Sequence, residues 1–263
     1  MEYFQQILAS MSPISLEEMN TVKLMNRTDT KYLLNKSSLY QIARRWSEGF
    51  FVQEVEGNRI ANYKTLYFDT DDSLMYTVHH NRKLNRQKVR QRVYLDNHLF
   101  FCEVKTKNNH GRTKKKRIAI TEKEWGSLEH SEELAFLKER LWITDKPLHP
   151  CLQNQFQRIT LVNKAKTERI TVDSQITFHN MRNGCLADIS DLVIVEVKQD
   201  GNKPSAFKQL LYDAGVHEKR ISKYCLGMLL TDDTIKYNRF KDKIRYIGRL
   251  IGQELTIKAT LKN

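Results

Sequence analysis

Lys88-Val89-Arg90-Gln91-Arg92-Val93 alternates cations with uncharged residues at the period of a β-strand. Successive side chains of a β-strand point to opposite faces, so Lys88, Arg90 and Arg92 share one face and Val89, Gln91 and Val93 the other. The device recurs in Phe101, Glu103, Lys105 and Lys107, with Phe100, Cys102 and Val104 opposite. Between Arg82 and Arg117, thirteen Lys and Arg face Asp96 and Glu103, so eleven of the chain's thirteen net positive charges lie in this one segment. Like charges about 5 Å apart repel by roughly 3 kcal/mol at an effective dielectric of about 20. A polyanion relieves that cost, and the stripe reads as a binding surface inside a groove or barrel.

The 263 residues and 31.1 kDa suffice for a full core, and we expect one large domain. A charged fraction of 29% and a sequence pI near 9.5 imply a globular protein with an anionic partner. Cys102, Cys151, Cys185 and Cys225 form no C-x-x-C pair, so neither a zinc site nor a disulfide framework is indicated. The N-terminus lacks a cationic n-region and a long apolar stretch, and nothing approaches the roughly 20 apolar residues of a membrane span. The expectation is a soluble cytoplasmic protein whose membrane work, if any, needs a membrane-protein partner.

Along the chain, Ser15 to Leu24 suits a short helix, residues 27–34 a strand, and Ser37 or Ser38 caps a helix through about Trp46. Tyr63 to Asp69 reads as a strand and Asp71 to His80 as a helix. Basic strands follow at about 87–95, 98–106 and 113–120, the last two joined by the turn residues Asn108 to Gly111. Thr121 to Trp142 has helical periodicity interrupted near Gly126, and extended character returns at 155–162, 168–173 and 192–199. Pro204 and Gly215 frame a helix, and Thr234 to Ile251 is a basic amphipathic one. The expected fold is α+β: an eight-stranded, mostly antiparallel β tunnel or barrel with helices packed outside.

Polar residues at i, i+2, mostly charged, recur on strand after strand: Asp29 and Lys31; Lys88, Arg90 and Arg92; Glu103 and Lys105; Lys114 and Lys116; Arg169, Thr171 and Asp173; Glu196 and Lys198. One such pair is ordinarily a solvated face. Six strands carrying it together, mostly cationic, fit a chain of phosphates gripped by guanidinium and ammonium groups. The sparse acids Asp29, Glu103 and Glu196 suit Mg²⁺ or Mn²⁺ shared with substrate phosphates.

Arg27-x-Asp29-x-Lys31-Tyr32, Tyr67-Phe68-Asp69-Thr70, Lys88 to Arg92, Glu103-Val104-Lys105-Thr106, Gln157-Arg158, Arg169 to Asp173, Val195 to Lys198 and Ser222-Lys223-Tyr224 stand in a recognisable order. In that order they resemble the VTC-type polyphosphate polymerase domain, the catalytic domain of the vacuolar transporter chaperone complex and its bacterial relatives. That domain is a branch of the CYTH-like triphosphate tunnel metalloenzymes, and the resemblance spans about residues 20–231. It implies a metal-dependent phosphotransferase that moves the γ-phosphoryl of ATP onto a growing polyphosphate chain. By motif position Arg90, Arg92, Arg158, Arg169 and Lys223 would be catalytic. Lys31, Arg82, Arg86, Lys88, Lys105, Lys114, Lys116, Lys198 and Arg220 would bind phosphate, with Glu196, Glu103 and Asp29 for the metal. Arg27 stands where many tunnel enzymes have an acid, and the family's additional arginine is matched to His79, Arg82 or Arg86. Residues 1–231 would form the tunnel domain and 232–263 a basic C-terminal helix and tail, either solvated or at a membrane surface.

No G-x-x-x-x-G-K-[ST], G-x-S-x-G or G-x-G-x-x-G occurs, which removes P-loop, hydrolase-elbow and Rossmann chemistry. Scarce exposed aromatics argue against single-stranded RNA. A tunnel-fold triphosphatase and a non-catalytic polyanion-binding subunit remain as alternatives.

Overall fold

The computed structural model describes residues 2–20, 22, 27–143, 145–201 and 203–255. Residues 21 and 23–26, where the first predicted helix would end, lie outside them, as do residues 256–263 of the predicted tail and the side chain of Arg27. The chain runs α1 (Glu2–Ser10), β1 (Pro13–Ile14), α2 (Leu16–Asn20), β2 (Arg27–Asn35), α3 (Lys36–Ala43), α4 (Trp46–Gly49), β3 (Phe50–Gln53), β4 (Ala61–Asp69), α5 (Leu74–His80), β5 (Arg86–Tyr94), β6 (Leu99–Lys107) and β7 (Thr113–Ile120). It continues through α6 (Ser131–Arg140), β8 (His149–Asn163), β9 (Glu168–Asn180), β10 (Leu186–Asp188), β11 (Leu192–Asp200), α7 (Ala206–Asp213), α8 (Lys223–Thr231) and α9 (Lys241–Ile251).

Eight strands follow the order β2-β11-β9-β8-β4-β5-β6-β7, every neighbouring pair antiparallel. The α+β class and the eight-strand antiparallel array are therefore as the sequence predicts. Among the described residues β2 and β7 end this order without pairing to each other, so backbone hydrogen bonds do not close the ring. Charge shows how far the sheet curls. Lys31 of β2 acts electrostatically on Lys88 of β5 and Lys105 of β6, so strands far apart in the order face one cavity.

The outward side of each strand is apolar because helices cover it. Ile170, Val172, Val193, Val195 and Val197 pack under α3, α4 and α7, while Val89, Cys102 and Val104 pack under α6. Gln87 and Gln91, outward on β5, tie down the same region. Gln91 donates to Glu133 Oε1 at 2.9 Å and accepts from Gly126 N, and Gln87 accepts from Trp142 N. On the concave side α8 and α9 fill one end, packing on Leu33, Tyr67, Leu152 and Ile194. Ile244 and Ile247 of α9 belong to that core, so its apolar side is occupied and not free for a membrane surface. Among the described residues no helix is long and apolar enough to cross a membrane.

Local signals shift a few boundaries. Asn35, not Ser37 or Ser38, caps α3 by accepting from Ser38 N, and Ser205 caps α7, which leaves Pro204 just outside it. The predicted helix over 121–142 divides into a 3₁₀ turn at Glu122–Glu124 and α6, with Gly126 at φ 93° between them. The tail helix begins at Lys241, after a 3₁₀ turn at Asn238–Phe240.

Candidate active site

One wall of the cavity is built by β5, β6 and β7. Their register sets Lys88 beside Lys105 and Arg90 beside Glu103. Arg90 Nε donates to Glu103 Oε2 at 2.7 Å, and Lys115 Nζ donates to Oε1 at 2.8 Å. Burial alone would raise the Glu103 pKa, but Arg90, Arg92 and Lys115 hold it well below the carboxylate range. Arg92 donates to Thr65 Oγ1 at 3.1 Å and lies 5.4 Å from the Tyr63 ring centroid.

The same register corrects the reading of β7. Lys116 is paired with Val104 and Lys114 with Thr106, so both are exposed on the outward side, in phase with Ile118 and Ile120. Lys115 and Arg117, opposite Lys105 and Glu103, are the cations of this strand that face the cavity. The two isoleucines carried the signal: they mark the side packed against α6.

The opposite wall comes from β8, β9, β11 and β2. Arg158 grips Asp173 bidentately, Nε to Oδ1 at 2.6 Å and Nη2 to Oδ2 at 2.8 Å, and Lys223 of α8 bonds the same carboxylate. Glu196 lies between Lys31 at 2.7 Å and Lys198 at 2.9 Å. Arg169 donates to Met19 O at 2.7 Å, toward one end, and Asp29 is exposed, opposite Lys198 in register. The α8 N-terminus joins the walls: Ser222 Oγ, its cap, accepts from Lys88 Nζ at 2.6 Å while Lys223 reaches Asp173. The Tyr67-Phe68-Asp69-Thr70 motif serves this placement. Buried Asp69 accepts from Met75 N and Tyr76 N at the start of α5 and from the Tyr224 hydroxyl on α8.

So many cations around one space make some of the lysines reluctant to stay charged. Burial, then Lys31 and Arg90, lowers Lys105 to about 7; burial and Arg86 lower Lys88 to about 8. Lys223 also falls to about 7, through burial and then Arg158, although Asp173 opposes the shift. Arg158 is a permanent counter-ion for Asp173, so Lys223 is the partner whose proton is labile. Arg82 is exposed with φ 59°, Arg86 donates to Lys83 O, and the Arg220 side chain is 93% exposed. These three sit at a mouth of the cavity and not among the inner pairs.

Each inner acid lies between two cations, and among the described residues no three His, Cys, Asp or Glu converge as a ready-made metal site. Such a site fits a hard cation that arrives with phosphates and takes one carboxylate from the protein. Asp173, Lys115, Arg117 and Ser222 complete the constellation without having been assigned roles from the sequence. A separate cavity of about 780 Å³, lined by Tyr32, Gln199, Lys203 and Tyr212 among others, lies on the outer side of β2.

None of the curated proteins matches the chain. A candidate adenylyl cyclase from Hippeastrum, described as having a dominant triphosphatase activity, aligns with a TM-score of 0.47 at 16% identity over 77% of this chain and 94% of that one. A candidate adenylate cyclase from Vibrio parahaemolyticus aligns at 0.44 and 11% identity over 78% and 99%, and the PH1819 protein of Pyrococcus horikoshii at 0.41 and 14% over 76% and 97%. The VTC domain matches residues 26–231, which include both walls and the α8 N-terminus, and the chain belongs to the VTC domain family.

Proposed function

We propose that the protein is an ATP:polyphosphate phosphotransferase working within its cationic cavity. The observation that carries this reading is the arrangement of Glu103, Asp173 and Glu196, each held between two cations that phosphate oxygens can take over. Arg90, Arg92 and Arg158 would grip the triphosphate, and Lys31, Lys105, Lys198 and Lys223 would neutralise its charge. In the transfer, an oxygen of the terminal phosphate of the chain attacks the γ-phosphorus. The bond from that phosphorus to the β,γ-bridging oxygen breaks, and ADP leaves. The attacking oxygen is already an anion, so no protein base is required. Mn²⁺ or Mg²⁺, bound through Glu196 and phosphate oxygens, would supply further charge neutralisation.

A second reading, a triphosphatase, draws on Lys105 and Lys223. Their pKa values are about 7 in the empty cavity, and whichever of them stays neutral beside bound phosphate would take a proton from attacking water, which a phosphate acceptor does not need. Incubation of the purified protein with γ-labelled ATP and Mn²⁺ or Mg²⁺, followed by separation of long chains from free phosphate, decides between them. Label in long chains supports the polymerase, free phosphate alone the triphosphatase, and tight polyphosphate binding without turnover a binding subunit. Arg90→Ala and Arg158→Ala should lower turnover more than ATP affinity, and Glu196→Gln should abolish the metal-dependent rate.

A further inference from the structure

The cations of the cavity do not stop at its rim. Arg86, at the start of β5, is paired in register with Lys107 at the end of β6. Arg220 projects just before α8, and Lys219 beside it places its ammonium 4.9 Å from the Tyr246 ring of α9. Lys243, also on α9, lies 5.4 Å from the Phe240 ring. Among the described residues none of Arg86, Lys107, Lys219 and Lys243 has an ion pair with an acid, and Arg220 has a contact with Glu218 at 4.0 Å.

His79, 3.2 Å from Cys225 Sγ, shows how tightly these groups converge. Burial, then Lys88, Arg86, Lys243 and Lys107, drives its pKa down to about 2, so the imidazole is neutral and adds no charge. Lys107 in turn is lowered by burial, Arg86 and Arg220, and Lys243 by burial and then by Arg82, Lys219 and Arg220. Cations from β5, β6, the segment before α8, and α9 thus meet at one mouth, mutually repelling, with Glu218 beside Arg220 as the one carboxylate paired with any of these five cations among the described residues.

We propose that this mouth is a second anion-binding surface, continuous with the cavity, on which Arg86, Lys107, Lys219, Arg220 and Lys243 hold the part of a linear polyphosphate chain that extends beyond the inner triphosphate site. Lys88, bonded to Ser222 between the two regions, links them. Lys243 lies outside residues 26–231, so the C-terminal helix gives this chain a contact that the matched domain does not contain. The inference rests on the reading of the cavity as a phosphate-chain site.

The test is equilibrium binding by the full chain, with divalent metal chelated, of long-chain polyphosphate, tripolyphosphate and single-stranded RNA. In Lys219→Glu/Lys243→Glu, long-chain affinity should fall about tenfold or more while tripolyphosphate affinity changes less than about twofold. The Gln counterparts, with thermal unfolding checked in each, should show a smaller loss in the same direction and guard against a folding defect. Unchanged long-chain binding, or an equal loss for both phosphates, overturns the second surface. RNA that binds the parent as tightly as polyphosphate, and is lost equally on substitution, also overturns it in favour of a nucleic-acid surface. If the parent ignores tripolyphosphate, the proposed function falls, whereas the mouth is still judged by the long-chain arm.

Discussion

Lys105 and Lys223 make the cavity's charge depend on its contents. Phosphate restores the charge that burial and neighbouring cations suppress, so binding at pH 8 should take up protons, and tripolyphosphate affinity should decline as pH rises above about 7. The free protein behaves oppositely. With native pKa values near 7 against 10.5 for an ordinary lysine, the native state binds fewer protons than the unfolded chain, so these two groups favour folding more as pH climbs from about 7 to 10.5. Calorimetric titration in two buffers of different ionisation enthalpy counts the protons taken up. No uptake at pH 8, or equal uptake in Lys105→Gln and the parent, would contradict this account. The sequence placed Lys105 on a face with Glu103 and Lys107, and Lys223 in the Ser222-Lys223-Tyr224 motif; their lowered pKa arises from distances that no spacing reveals.

At the scale of elements, α8 decides whether the cavity has a floor. Its N-terminus carries Ser222 and Lys223 to opposite walls, and its body packs so closely that a Cβ on Gly227 would lie 2.4 Å from Phe178 Cδ1 and 2.5 Å from Leu152 Cδ2. Gly227→Ala should therefore destabilise the protein by about 1–3 kcal/mol, because both neighbours are themselves buried and must shift. It should also weaken tripolyphosphate binding by displacing Lys223. Urea unfolding measures the first effect, and a change below about 0.5 kcal/mol would mean that the helix is not wedged as described. β7 teaches a complementary lesson. The phase of its four cations is set by Ile118 and Ile120, which pack toward α6 on the same side as Lys114 and Lys116, so the assignment of those two lysines to the cavity fails by one residue.

For the whole molecule, the clustered cations predict which ligands stabilise it. Polyphosphate should raise the melting temperature, since a ligand that binds only the native state adds about 2.7 kcal/mol at a hundredfold excess over its dissociation constant. Single-stranded RNA of equal charge should do less, because the curled sheet admits a bare phosphate chain more readily than ribose and bases. Equal stabilisation in a thermal-shift series would indicate an open basic groove. Periodicity along the chain determined the eight strands of the main order, though not β1, β3 or β10, together with the α+β class and most of the cationic face, because period and charge are properties of neighbours along the chain. Glu196 beside Lys198 was already legible there, whereas Arg90 beside Glu103 needed the register of β5 on β6. The bidentate hold of Arg158 on Asp173, the bridge from Lys88 through Ser222 to Lys223, and the convergence of Lys107 and Lys243 around His79 were decided by tertiary structure. Those contacts join residues far apart in sequence, and they exist only once the sheet curls and α8 and α9 close one end of it.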